Sequence, residues 1–147
     1  PTGKKEHKKD VPMIMAAHGI PYVATACISY PLDFVSKLRK AKEMVGTKYI
    51  QVLTPCPPGW RFSTEKTVEM GRLAVQTGIW ALFEFEHGKF RLTPPSAALL
   101  DKTKRKPIEE YLKEQGRFYQ LAPQDVEEIK RWIDDTWENY KKLQLNV

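Results

Sequence analysis

The chain has 147 residues, 41% of them hydrophobic, and a formal net charge of +6. This length suits one compact domain with its own core, and no apolar run approaches the ~20 residues of a membrane-spanning helix. Two cysteines are too few for a secreted disulfide scaffold of this size. We therefore expect a cytoplasmic protein without a membrane partner.

The first predicted elements are a polar arm and a short helix. Residues 1–10 are expected to form the arm. Asp10 can cap a helix through Ala17, and Gly19 can end it. His18 lies at this helix end, where an imidazolium would interact favourably with the helix dipole, so we expect a capping role rather than catalysis.

Two apolar runs on either side of an amphipathic segment predict the order strand, helix, strand. The runs are residues 22–28 and 48–54, and the helix between them begins at Pro31 and is stopped by Gly46. This order predicts parallel strands joined by a helical crossover, and such strands are usually buried on both faces.

The second run leads directly into the segment T-P-C-P-P-G-W, residues 54–60, which contains Cys56. Its three prolines and its glycine exclude strand or helix interior, so we predict a stiff loop. Ligands bind beyond the carboxyl ends of parallel strands, which makes this loop the leading site candidate. A rigid thiolate is a suitable ligand for a metal or cluster. Composition alone is equally compatible with a buried Cys56 thiol that has no ligand role.

Ser63 is the predicted N-cap of a helix through Thr77. A hairpin is expected next, with residues 79–86 and 89–93 on either side of a two-residue His87-Gly88 turn. Its register sets Glu84 opposite Arg91 and Glu86 opposite Lys89 on an exposed face, and Phe85 opposite Phe90 on the apolar face. Ion pairing explains these charges, so we assign them no chemistry.

The last part of the chain is predicted to be mainly helical. Residues 93–106 are expected to be a loop or extended connector, and residues 107–115 a short helix ended by Gly116. A long helix begins at Pro123. Its apolar stripe is Val126, Ile129, Ile133, Trp137 and Tyr140.

The residues of these elements are compatible with two functions. Cys27 lies within an apolar strand, where a free cysteine is usually a small core residue, but a thiol enzyme that uses Cys27 or Cys56 is one alternative. Basic clusters at residues 4–9 and 102–106 leave a second alternative, a stand-alone interaction or nucleic-acid-binding module. No recognition motif accompanies this charge, so solvated loops are favoured and no nucleic-acid partner is expected.

Six blocks of the sequence occur in the same order as in one known enzyme family. They are residues 8–26, 30–34, 54–62, 71–78, 91–95 and 111–118, and the C-P-P-G-W motif is the most specific part. In these blocks the chain resembles the C-terminal half of the beta subunit of pyruvate:ferredoxin oxidoreductase, or pyruvate synthase. The resemblance implies an α/β fold, the C-terminal part of a thiamine-diphosphate-binding domain spanning residues 11–147, with parallel strands and helical crossovers, a β-hairpin and C-terminal helices.

The resemblance also implies that different parts of the intact subunit bind its two cofactors. Thiamine diphosphate is bound there through Mg²⁺ and an upstream G-D-G…N motif, while three early cysteines and one late cysteine hold a [4Fe-4S] cluster. Cys56 matches the late cysteine, so the resemblance implies a metal ligand at this position. Neither the G-D-G motif nor the early cysteines occur in these 147 residues. We therefore expect a fragment that binds no cofactor and is inactive alone.

The implied reaction is the oxidative decarboxylation of pyruvate with coenzyme A to acetyl-CoA and CO2, with electrons passed through the cluster to ferredoxin. The implied partners are the alpha, gamma and delta types of subunit of the same complex, ferredoxin, and the substrates pyruvate and coenzyme A. Relatives that act on other 2-oxoacids fit the same pattern.

Overall fold

A computed structural model describes residues 7–145. The strands are β1 (Tyr22–Cys27), β2 (Lys48–Leu53), β3 (Phe83–Glu86) and β4 (Lys89–Leu92). The α-helices are α1 (Val11–Ala17), α2 (Pro31–Glu43), α3 (Pro57–Trp60), α4 (Thr67–Gln76), α5 (Pro94–Ala97), α6 (Ile108–Lys113) and α7 (Pro123–Leu145). Short 3-10 turns occur at Thr64–Lys66, Ala98–Leu100, Lys102–Lys104 and Gly116–Phe118.

The start of the described chain agrees with the predicted first helix. Asp10 is the N-cap of α1, and its side chain accepts a hydrogen bond from the Met13 backbone N–H at 3.1 Å. His18 is the C-cap residue of this helix, as predicted. Part of the predicted polar arm, residues 1–6, lies outside the described residues, while residues 7–10 are exposed.

The four strands form one mixed sheet in the order β2-β1-β3-β4. β1 and β2 are parallel, with Tyr22 opposite Lys48 and Cys27 opposite Leu53, and α2 is the crossover between them. β3 joins the other side of β1 in the antiparallel direction and continues into β4. The predicted α/β class and the parallel pair with its helical crossover are therefore confirmed.

The two parallel strands differ in burial. Every residue of β1 is buried, whereas no residue of β2 is. The prediction that both strands are buried on both faces is wrong for β2, because within residues 7–145 this strand lies at the edge of the sheet and pairs only with β1.

Helices cover both faces of the sheet. On one face, Val23 and Phe83 pack with α4, α6 and α7, where Met70, Tyr111 and Trp137 belong to the same buried cluster. A smaller cluster on the other face joins β1 to α2. Of the predicted stripe on the last helix, Ile133, Trp137 and Tyr140 are buried. Among the described residues, no helix combines the length and apolar character that a bilayer crossing requires.

The hairpin has the predicted register, but its charged face is not the exposed surface expected. Glu84 pairs with Arg91 and Glu86 with Lys89 in the ladder, yet Glu84 is only 4% exposed. The carboxylate of Glu86 forms an ion pair with Lys40, at 2.9 Å. The prediction was wrong here because α2 packs over this face and brings Lys40 to both glutamates.

Three local predictions also need correction. Ser63 makes no side-chain cap, because a 3-10 turn at Thr64–Lys66 precedes α4. The hairpin strands are shorter than predicted, since the Leu82 backbone N–H donates to the Ser96 hydroxyl at 2.8 Å instead of continuing the ladder. Residues 93–106 fold into α5 and two 3-10 turns rather than an extended connector. α5 begins with two prolines, whose missing backbone N–H groups cost no helical hydrogen bond at these first positions.

Candidate functional site

The thiol of Cys56 lies just beyond the carboxyl end of β2, and it is exposed. Cys56 precedes α3, and its carbonyl accepts a hydrogen bond from the Trp60 backbone N–H at 2.8 Å. The predicted loop is therefore wrong in detail, because residues 57–60 form a single helical turn. Pro57 and Pro58 fit there, since the first N–H groups of a helix have no helical partner and their loss costs nothing.

Gly59 keeps the space beside the thiol free. A Cβ atom at this position would lie 3.2 Å from the Cys56 sulfur. Any larger side chain would therefore press against the sulfur or force it to turn. An exposed sulfur that no side chain at position 59 crowds fits the coordination of a metal or cluster from outside the segment.

The segment after α3 turns sharply. Arg61 has φ 59°, in the left-handed region that non-glycine residues seldom adopt. The Phe62 backbone N–H donates to the Pro57 carbonyl at 3.2 Å, and the Arg61 carbonyl accepts from the Gly116 N–H at 3.0 Å. One of these hydrogen bonds is local, and the other comes from a distant part of the chain. The only sign of this contact in the sequence is that residues 111–118 are one of the six blocks that carry the family resemblance.

Cys27 lies at the carboxyl end of the neighbouring strand, but its environment is different. The side chain is fully buried, and its thiol lies 3.7 Å from the Gly71 carbonyl. Burial raises the pKa of Cys27, and the nearby polar groups of Ser29 offset only part of this effect. A Cβ atom at Gly71 would lie 2.1 Å from the Ser29 hydroxyl and 3.0 Å from the Cys27 sulfur. The close approach of α4 thus confirms Cys27 as a core residue.

The basic cluster at residues 102–106 is neutralised by neighbouring carboxylates. Lys102 and Arg105 both pair with Asp134 of α7. Lys106 lies 3.7 Å from Glu110. These ion pairs attach residues 102–106 to α6 and α7.

Within residues 7–145, no group of three or more His, Cys, Asp or Glu side chains is placed to hold a metal ion. A metal site that used Cys56 would therefore need further ligands from other residues.

Comparison with known proteins identifies the relatives of this chain. The pyruvate synthase subunit PorB of Methanocaldococcus jannaschii is 56% identical over 133 residues, which cover 90% of this chain and 43% of that subunit. The ketoisovalerate oxidoreductase subunit VorB of Pyrococcus furiosus is 49% identical over 140 residues, or 95% of this chain and 44% of the subunit. PorB of Methanothermobacter thermautotrophicus is 52% identical over 132 residues, or 90% and 44%.

The chain is a homologue of part of the 2-oxoacid:ferredoxin oxidoreductase beta subunits. It spans less than half the length of the curated relatives it matches. No family model matches it. The relatives named PorB and VorB are similar to it over nearly the whole chain, so the resemblance found in the sequence is confirmed. The comparisons do not support the alternative of a nucleic-acid-binding module.

Proposed function

We propose that this chain is the C-terminal part of a pyruvate:ferredoxin oxidoreductase beta subunit and that Cys56 supplies one thiolate to its [4Fe-4S] cluster. The observation that carries the proposal is the exposed Cys56 thiol, which lies past the carboxyl end of a parallel strand, beside a glycine whose Cβ would crowd the sulfur. Such strand ends are the usual ligand-binding edge of an α/β sheet. The PorB relatives supply the name of the enzyme.

The residues around Cys56 have a defined part in this function. Pro57 and Pro58 restrict the backbone beside the thiol, and the hydrogen bond from Trp60 to the Cys56 carbonyl closes the turn. The backbone that carries the sulfur is thereby restrained, and as a thiolate Cys56 can bind iron. When bound, thiamine diphosphate supplies the carbanion chemistry of decarboxylation, and the cluster supplies one-electron transfer.

The rest of the site belongs to other residues of the longer subunit. A [4Fe-4S] cluster takes four thiolates, so three further cysteines and the Mg²⁺-thiamine motif complete it. Residues 11–147 would then be the C-terminal part of the thiamine-diphosphate-binding domain. The partners are the alpha, gamma and delta types of subunit, ferredoxin, pyruvate and coenzyme A.

The test compares two cysteine variants of the complete beta subunit in its complex, purified without oxygen. Cys56→Ala should remove one of the four thiolates, so the cluster should be lost or become labile in air. Cys27→Ala should keep the cluster and lose only packing, about 1 kcal/mol. The measurements are iron content and the electron paramagnetic resonance (EPR) signal of the reduced protein. A normal signal in Cys56→Ala, or loss of the signal in Cys27→Ala alone, would contradict the proposal.

The isolated 147-residue chain is expected to be inactive. One cysteine ligand and no G-D-G motif leave it without the means to bind either cofactor. An assay with pyruvate, coenzyme A, ferredoxin, thiamine diphosphate, Mg²⁺ and iron should show no turnover. Turnover by this chain alone would refute its assignment as an incomplete subunit.

A ketoisovalerate-oxidising complex is the second candidate, because VorB subunits are 49% identical to this chain. The two candidates share the role of Cys56 and differ only in the 2-oxoacid. Rates for pyruvate and ketoisovalerate, measured with the same purified complex, distinguish them.

A further inference from the structure

We infer that Arg117 and Gly116 form a support that positions the Cys56 turn. This inference rests on the proposed role of Cys56 as a cluster ligand and assigns positioning residues to that same site. The support belongs to a part of the chain remote from Cys56 in sequence, the end of α6 and the 3-10 turn that follows it.

The first contact is a stack on Trp60, the last residue of α3. The Arg117 guanidinium lies 4.1 Å from the centre of the Trp60 ring and 4.6 Å from that of Phe118. Tyr111 meets the same tryptophan edge-on, with 6.3 Å between the ring centres. Trp60 is therefore held by both an arginine and an aromatic ring.

Hydrogen bonds orient the guanidinium for this stack. Arg117 Nε donates to the Gln115 side-chain oxygen at 2.8 Å. Gln115 is itself only 1% exposed, and its amide donates to the Tyr111 carbonyl at 2.7 Å. A surface arginine alone would be free to move, but this one is tied to a buried side chain.

The second contact is backbone on backbone. Gly116 donates to the Arg61 carbonyl at 3.0 Å. A Cβ atom at Gly116 would lie 2.9 Å from the Arg61 Cβ and 3.2 Å from the Arg61 carbonyl oxygen. Only glycine lets the two segments approach this closely, and Arg61 is the residue whose left-handed backbone ends the Cys56 turn.

The two contacts restrain the turn at two points, the Trp60 side chain and the Arg61 backbone. Proline fixes the turn locally at its start, and Trp60 returns a hydrogen bond to Cys56 itself. Displacement of Trp60 or Arg61 would therefore be transmitted to the Cys56 backbone. Residues that orient a metal ligand commonly change metal affinity about 10–100-fold when they are replaced.

The experiment uses the complete subunit in its complex, purified without oxygen, and measures iron release to a chelator and the reduced-state EPR spectrum. Arg117→Ala and Gly116→Ala should each accelerate iron release about tenfold and broaden the EPR signal. Arg117→Lys should behave like Arg117→Ala, because lysine keeps the charge and loses the planar stack. Arg131→Ala, at an exposed arginine of α7, is the matched control and should behave like the unaltered protein.

Cys56→Ala, measured alongside, separates the two ideas. If it retains the cluster, the proposed role of Cys56 is wrong. If it loses the cluster while Arg117→Ala and Gly116→Ala release iron at the unaltered rate with an unaltered spectrum, only the positioning role is wrong. Equal acceleration in Arg131→Ala would also overturn the positioning role, since the effect would then be general. If one variant does not fold, the other and Arg117→Lys give the result.

Discussion

The carboxylate of Glu84 is buried and contacts three side chains. The Tyr22 hydroxyl donates to it at 2.8 Å, Lys40 at 3.1 Å and Arg91 at 2.6 Å. Burial alone raises the pKa of Glu84, but the hydrogen bonds from Arg91, Tyr22 and Lys40 outweigh it and hold the pKa below its ordinary value. Its charged form therefore stabilises the folded state.

Replacement of Glu84 with Gln should destabilise the protein by about 1–3 kcal/mol, because it removes charge-assisted hydrogen bonds at a buried position. The pKa of Glu84 is lower in the folded chain, so its stabilisation is complete above the unfolded pKa of about 4.3 and is lost as pH falls through the folded value. Urea unfolding at neutral and acidic pH should show a smaller loss of stability in acid for Glu84→Gln.

Glu86→Gln is the control on the same strand, since the Glu86 side chain is 45% exposed. It should change stability by less than about 0.5 kcal/mol. Equal effects of the two substitutions would contradict the importance of burial at Glu84.

Alanine substitutions at Gly78 and Gly88 distinguish the cost of an unfavourable backbone conformation from the cost of steric crowding. Both have a positive φ, 81° and 80°, but a Cβ atom at Gly78 would lie 2.8 Å from Trp137 Nε1, whereas nothing lies within 4 Å at Gly88. Alanine at Gly88 should cost about 1–2 kcal/mol from conformation alone. Alanine at Gly78 should cost about 1–3 kcal/mol more, because it also crowds Trp137 and strains the Trp137-to-Gly78 hydrogen bond. Equal costs in urea unfolding would refute the crowding.

At the scale of elements, a substitution in the hairpin turn should increase the stability of the protein. His87 and Gly88 have φ values of 48° and 80°, as a two-residue turn between antiparallel strands requires at both positions. Asparagine adopts positive φ more readily than histidine in such turns. His87→Asn should therefore stabilise the protein by about 0.5 kcal/mol, and a lower urea midpoint in this variant would contradict the turn assignment.

Elements whose pattern and end signals agree could be predicted from the sequence. Asp10 with α1 and the hairpin register are examples, because a cap or a two-residue turn fixes them locally. Burial of Glu84 could not be predicted, since it depends on α2 packing over the hairpin. The helical turn at Pro57 departs from the predicted loop, because proline breaks a helix interior but is tolerated in a first helical turn.

The candidate site was predictable to a similar extent. The position of Cys56 at a strand end follows from the order of elements, and the buried state of Cys27 follows from its apolar run. The contact of Trp60 with Arg117 was not predictable, because stacking between distant segments leaves no periodic pattern in the sequence.

At the scale of the whole molecule, the two edges of the sheet are different. β4 lies beside α7, where the Leu92 backbone N–H approaches the Gln144 side-chain oxygen at 3.4 Å. At the other edge lies β2, and the crossover that leads into it contains Leu32, 87% exposed, and Val45, 93% exposed. Exposed apolar residues next to an unpaired strand edge commonly mark an interface.

We therefore predict that the isolated chain self-associates through the β2 side. Lysine at both Leu32 and Val45 should reduce association, because it adds charge to the apolar surface. Leu145→Lys is the control, since Leu145 is 76% exposed on α7. Light scattering across a concentration series measures the effect, and a stable monomer of the unaltered chain at high concentration would contradict the prediction.

The remote support of the Cys56 turn has a consequence for the order of events during synthesis. Chains are made from the amino end and fold as they emerge, so Cys56 exists before residues 111–118 do. Until those residues close on Trp60 and Arg61, the Cys56 turn lacks the contacts that hold it in the folded chain. On the proposed role of Cys56 as an iron ligand, iron delivered in that interval would meet a thiol on a less restrained backbone. Loading is therefore expected to succeed only after residues 111–118 have been made.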